Sequence, residues 1–314
     1  MRDHFADRLI AAIKKTSMPG VVALDPVFER LPASLKKGVG AGNRSGELAA
    51  ITTFCRESIP LFAEHLPAVK INSAYFERYQ AGGVAAYHAM IAEAHRHGLI
   101  TIGDVKRGDV GHTADQYATA HIAAHADTRI DDGIPDSITI NGYFGWDGVK
   151  PFSEAAIAAG RGIFVLVRTS NESAGTVQDV VTSDGRKVHE LVAGLVTGWA
   201  AEPHAVGASG YSAIGAVVAT RNAKDAARLR ELMPQSIFLV PGYGAQGGTA
   251  EALRPYFKSD GGGAIIAAGR SVIFAHETPA YATRFGDDWK SCIDAACRDF
   301  KADLQRVWPA SGKV

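Results

Sequence analysis

Eight short apolar runs, spread along nearly the whole chain and separated by amphipathic stretches, limit what this sequence can fold into more than any other feature. They are Val21–Asp25, Ala68–Asn72, Leu99–Val105, Ser137–Asn141, Gly162–Arg168, Ala213–Thr220, Ser236–Pro241 and Ala264–Arg270. They are continuously apolar rather than alternating, which suits parallel strands buried on both faces. Between them Glu47–His65, Val84–His97, Thr113–His125 and Ala223–Met233 read as amphipathic helices. Strands alternating with helices eight times over predict an α/β chain, a (β/α)8 TIM barrel, as a single domain over residues 1–314. Strand counting alone does not separate this from a doubly wound open sheet. After the last strand, Trp289, Ile293, Ala296, Phe300, Leu304 and Val307 recur at helical spacing, which predicts an extra C-terminal helix with one packing face. The polar segment Ser173–Val188 reads as a mobile loop after the fifth strand.

Composition narrows the partners. Thirty-three basic residues balance 33 acidic ones, so neither nucleic acid nor an anionic membrane surface is an expected partner. No apolar run approaches the roughly 20 residues of a membrane-spanning helix. Cys55, Cys292 and Cys297 form no Cys-x-x-Cys pair and suggest no disulfide framework. Asp3 and Asp7 interrupt the N-terminal apolar residues, unlike a signal peptide. A cytoplasmic protein is expected.

In a barrel of this kind, chemistry gathers where strands end at their C-terminal side. Those ends are polar here. The first ends in Asp25, the second near Lys70 and Asn72, the third in Asp104, Val105 and Lys106, the fifth in Arg168-Thr-Ser170-Asn, and the eighth in Gly269-Arg270. Asp104 and Lys106 are two apart, so on an extended strand they face the same way. A lysine between Asp104 and Asp109 stays protonated, since each opposite charge at about 4 Å is worth roughly 4 kcal/mol at an effective dielectric near 20. Lys106 therefore reads as a fixed cation and proton donor rather than a neutral amine. An isolated Asp-x-Lys would be an ordinary ion pair. The buried strand and the added charges of Asp25 and Lys70 favour an active site.

Two further segments suggest an anion. Gly269-Arg270 offers backbone N–H groups and a forked donor where barrel enzymes often hold phosphate. Pro241-Gly-Tyr-Gly-Ala-Gln246-Gly-Gly contains Gly-x-Gly-x-x-Gly, a pattern that in dinucleotide-binding proteins belongs to the first strand rather than the seventh. It reads instead as a glycine loop near a phosphate. His112, His121 and His125 lack the Glu of a His-Glu-x-x-His site and read as ordinary helix residues, and no metal is expected.

Taken in order, these motifs resemble the orotidine 5'-phosphate decarboxylase family. Asp104-Val-Lys106-Arg-Gly-Asp109-Val matches its Asp-x-Lys-x-x-Asp-[Ile/Val] signature. Val22-Ala-Leu-Asp25, Val69-Lys70-Ile, Arg168-Thr-Ser170-Asn, the Pro241 glycine loop and Gly269-Arg270-Ser follow in the family's order. The wording around Thr169 is similar to the longer bacterial subgroup. The resemblance spans Val21 to Ala275 and leaves out Ser173–Val188 and the C-terminal helix. It implies decarboxylation of orotidine 5'-phosphate to uridine 5'-phosphate without a cofactor, in a homodimer with shared active sites. It assigns Asp25 and Lys70 to the ribose hydroxyls, and Asp104 and Lys106 to the reacting carbon. It assigns Ser170 and Gln246 to the pyrimidine and Gly269 and Arg270 to the phosphate. Asp109 and Thr113 are to reach the partner subunit's site. Three rivals differ in chemistry: a magnesium-dependent sugar-phosphate lyase on the same barrel, a non-catalytic nucleotide binder, and a nicotinamide-dependent dehydrogenase.

Overall fold

The computed structural model describes residues 3–40, 42–219, 222–244 and 250–308. Its eight parallel strands close into a barrel in sequence order: β1 (Gly20–Leu24), β2 (Ala68–Asn72), β3 (Ile100–Arg107), β4 (Ser137–Ile140), β5 (Gly162–Arg168), β6 (Ile214–Val218), β7 (Phe238–Tyr243) and β8 (Ala264–Ala268). β8 pairs back onto β1, with Val21 opposite Ala267, and this closure removes the open-sheet alternative. The predicted helices are present with shifted ends, as Arg44–Ala63, Gln80–Arg96, Gly111–His121 and Ala223–Leu232. The C-terminal helix Trp289–Val307 buries all six residues of the expected stripe.

Every second strand residue faces the barrel axis. Val21, Ala68, Ile100, Ile102, Phe164, Val217, Leu239 and Ala267 fill the interior, while Val22, Val69, Ile138, Val165 and Ile266 pack outward against the helices. The helix Phe5–Thr16, not anticipated from the sequence, stoppers the floor of the barrel. Phe5, Leu9 and Ile13 join the interior cluster, and Phe5 meets Phe164 edge-on at 5.9 Å. Arg8 fastens it by reaching Asp136 at 2.8 Å, and Asp7 accepts the amides of Ala208 and Ser209. With the floor closed, polar side chains that continue the interior register can meet solvent only at the C-terminal mouth.

The segment Ser173–Val188 has structure of its own. It holds the short helix Gly175–Gln178 and an antiparallel bridge from Val181 to Lys187, and Gln178 ties it to Thr169. Among the described residues no helix is long and apolar enough to cross a membrane.

Candidate active site

Continuing the inward register past the apolar layers gives Asp25 after β1, Lys70 on β2, Asp104 on β3 and Thr139 on β4. These four residues meet. Lys70 Nζ lies 2.7 Å from Oδ2 of Asp104 and 3.4 Å from Oδ1 of Asp25. Lys106 Nζ lies 2.5 Å from the other Asp104 oxygen, Oδ1, and the Thr139 hydroxyl donates to that same oxygen at 2.9 Å. Asp104 is thus a buried carboxylate between two ammonium groups. Burial pushes its carboxyl up, but Lys70 and Lys106 more than reverse this and hold it well below the usual carboxylate range. Burial pulls Lys70 down, and Asp104 and Asp25 together raise it above the ordinary lysine value. The side chain of Lys106 is 49% exposed and that of Lys70 only 7%, so Lys106 is the cation that faces the open mouth.

Asp104 and Lys106 do face one way, though not by regular strand geometry. Between the pairs Gly103–Ile138 and Arg107–Ile140 the register slips, so Asp104, Val105 and Lys106 all stand opposite Thr139. Within this bulge Lys106 takes a left-handed backbone, φ 45°. Such a conformation in a non-glycine residue costs about 1–3 kcal/mol and persists only where its surroundings hold it. Val105 points outward into the core, while Lys106 is turned back toward Asp104.

The phosphate candidates also come together. Gly244, at φ 78°, sits so close to Ser271 that a Cβ there would lie 2.9 Å from its hydroxyl oxygen. Gly244, the residue just after β7, is therefore laid against Ser271, which follows Gly269-Arg270 in the chain. Arg270 is exposed and forms no ion pair with a described residue. Ser170 follows β5 and helps line a cleft with Arg168, Thr169, Asn171, Asn222 and Asp225. Gln246 lies outside the described residues. Asp109 and Thr113 do not join the charged cluster. Asp109 accepts the amide of Val110, and Thr113 is exposed on the first turn of Gly111–His121.

A family model, "Orotidine 5'-phosphate decarboxylase / HUMPS family", matches residues 54–285. The chain belongs to that family. It is 38% identical over 302 residues to the orotidine 5'-phosphate decarboxylase of Rhodopirellula baltica, covering 96% of this chain and 99% of the relative. It is 35% identical over 280 residues to the enzyme of that name from Caldicellulosiruptor saccharolyticus, covering 87% and 90%. The solved OMP decarboxylase of Leishmania donovani superposes with a TM-score of 0.70 at 26% identity, over 98% of this chain and 99% of that one. Both curated relatives carry the name orotidine 5'-phosphate decarboxylase, and the matches run over most of each chain.

Two residues of this decarboxylase-family site escaped the sequence reading. Thr139 touches both Asp104 and the Lys106 amide. Its signal was a hydroxyl in a buried strand, which requires a partner. The Tyr75 phenol is pushed up by burial and by the Asp25 charge, and Lys70 and Arg270 act on it in the opposite sense. It lies in the short helix Ala74–Glu77 just after β2, with no motif to mark it.

Proposed function

We propose that this chain decarboxylates orotidine 5'-phosphate to uridine 5'-phosphate in pyrimidine biosynthesis, without a metal or organic cofactor, and that Lys106 stabilises and protonates the carbanion at ring carbon six. The observation that carries this reading is Asp104 bracketed by Lys70 and Lys106 at the barrel mouth. The substrate carboxylate sits beside Asp104. The bond from ring carbon six to the carboxyl breaks, its electron pair stays on the ring, and carbon dioxide leaves. The charge nearest Asp104 is thereby lost, while a new anion appears near the ammonium of Lys106. A cation that acts where charge develops lowers the barrier more than it tightens ground-state binding. Lys106 then gives its proton to carbon six and regains one from solvent.

The remaining roles follow the family resemblance. Asp25 and Lys70 hold the ribose hydroxyls, Ser170 and Gln246 the pyrimidine, and Gly269 and Arg270 the phosphate. Asp109 and Thr113 complete the partner subunit's site in a homodimer. Exposed apolar side chains beside them support this: Val110 at 50%, Tyr143 at 85% and Phe144 at 45%. We read the whole chain as one domain, free of nucleic-acid and membrane partners. Its free, buried cysteines suit a reducing cytoplasm.

A magnesium-dependent lyase fits less well. Both Asp104 oxygens already face an ammonium group, so a divalent ion there would have to displace a lysine. The test is purified protein with chelator and orotidine 5'-phosphate, followed by pyrimidine absorbance. The decarboxylase reading requires turnover under those conditions. Activity that vanishes with chelator would support the lyase instead.

A further inference from the structure

We infer that Thr139 is a positioning residue for Lys106: its hydroxyl holds the left-handed bulge of β3 in register with the Asp104 carboxylate. The inference rests on the reading of Lys106 as the proton donor. Thr139 is 1% exposed. It stands alone on β4 opposite the three bulged residues of β3. Its Oγ1 accepts the backbone N–H of Lys106 at 3.0 Å and donates its own hydrogen to Oδ1 of Asp104 at 2.9 Å. Lys106 Nζ reaches that same oxygen. One hydroxyl thus joins the backbone and the side-chain partner of the same lysine and closes a small ring of hydrogen bonds.

The ring accounts for how the strained residue persists. A bulge frees a backbone N–H from the sheet ladder, and a buried N–H needs an acceptor. Here the acceptor is a side chain rather than the neighbouring strand. The hydroxyl serves as acceptor toward Lys106 N and as donor toward a carboxylate, so its proton is oriented by both contacts. Arg107, next in the chain, is anchored on the far side by Glu77 at 2.6 Å and by His121 at 3.3 Å. The kink at Lys106 is held between these two anchors. A misplacement of about 1 Å at a reacting group can cost on the order of a hundredfold in rate.

The test compares Thr139→Val, which keeps the shape and removes the hydroxyl, with Thr139→Ser, which restores it. The measurements are kcat, KM, uridine 5'-phosphate affinity and deuterium exchange at the Lys106 amide. With Val, kcat should fall about tenfold to a hundredfold, as expected for a lost charge-assisted bond. KM and nucleotide affinity should stay within about threefold. The Lys106 amide should exchange faster. Ser should restore kcat and amide protection together. The inference is overturned if Val leaves kcat and exchange unchanged, if kcat and nucleotide affinity collapse in parallel, or if Ser rescues neither. The exchange measurement needs no turnover. A wild-type protein inactive on orotidine 5'-phosphate but showing the Val-dependent exchange change would therefore indict the assigned reaction and not the role of Thr139.

Discussion

Lys70 donates to Oδ2 of Asp104 at 2.7 Å, and both side chains are 7% exposed. Neither charge could be buried alone at small cost, because each supplies the other's compensation. Asp104→Ala would leave the Lys70 ammonium facing only Asp25, at 3.4 Å. Removing one partner of a buried pair typically costs about 3–5 kcal/mol. Urea denaturation of Asp104→Ala should show a loss of that order, and a second change, Lys70→Met, should recover a good part of it. A single variant within about 1 kcal/mol of wild type would mean that the pair does not compensate its own burial.

The same pair, with Asp136 on the barrel floor, sets the limits of stability with pH. Burial raises the Asp136 carboxyl, but His95, Arg8 and the Thr101 amide more than reverse it, leaving Asp136 depressed like Asp104. A depressed carboxyl contributes stability above its unfolded value, near 4, and loses it as pH falls through the folded value. Lys70 is raised, so its contribution is complete below about 10.4 and is lost as pH climbs beyond that. The denaturation midpoint should therefore be level across neutral pH and fall below about pH 4. Asp136→Asn should flatten the acid limb. An unchanged slope between pH 2 and 4 in that variant would remove Asp136 from the account.

The barrel was legible because strands buried on both faces leave unbroken apolar runs, and eight of them fit few architectures. The helix Phe5–Thr16 was missed although Phe5, Leu9 and Ile13 show its face, because those residues contact the barrel interior rather than a neighbouring helix. Charge at the strand ends revealed Asp25, Lys70, Asp104 and Lys106. The inference that Asp104 and Lys106 share a face was right, but the regular strand behind it was not. A left-handed, non-glycine residue has no sequence signature, so the bulge was invisible; the hydroxyl of Thr139 in a buried strand signalled a need for a partner without saying which. The C-terminal helix appeared in full because its stripe packs in a single direction.

Arg270 stands at the first position of a short helix, exposed and beside the Gly244–Ser271 contact. A guanidinium placed there can fork across two phosphate oxygens far from the reacting carbon. Arg270→Ala should raise KM and weaken uridine 5'-phosphate binding by about tenfold to a hundredfold, with a smaller change in kcat. Steady-state kinetics paired with calorimetry would separate the two. Equal nucleotide affinity in wild type and variant would exclude Arg270 from the phosphate site.

Asp109 lies five residues beyond Asp104 yet outside its cluster, on a rim flanked by the exposed Val110, Tyr143 and Phe144. Tyr143 and Phe144 meet edge-on at 5.9 Å, and a Cβ on Gly108 would lie 3.6 Å from the Phe144 ring, so the apolar rim and the Asp109 turn form one surface. If that surface faces a second subunit, each site contains one chain's Lys70 and the other chain's Asp109. Asp109→Ala and Lys70→Ala proteins, each inactive alone, should then regain turnover when mixed. At equal amounts about half of the dimers are mixed, and one of the two sites in each is intact, so recovery should approach a quarter of wild-type activity. Tyr143→Asp should shift sedimentation toward the monomer and abolish the recovery. Mixed dimers verified by mass spectrometry but wholly inactive would show that Asp109 serves its own chain.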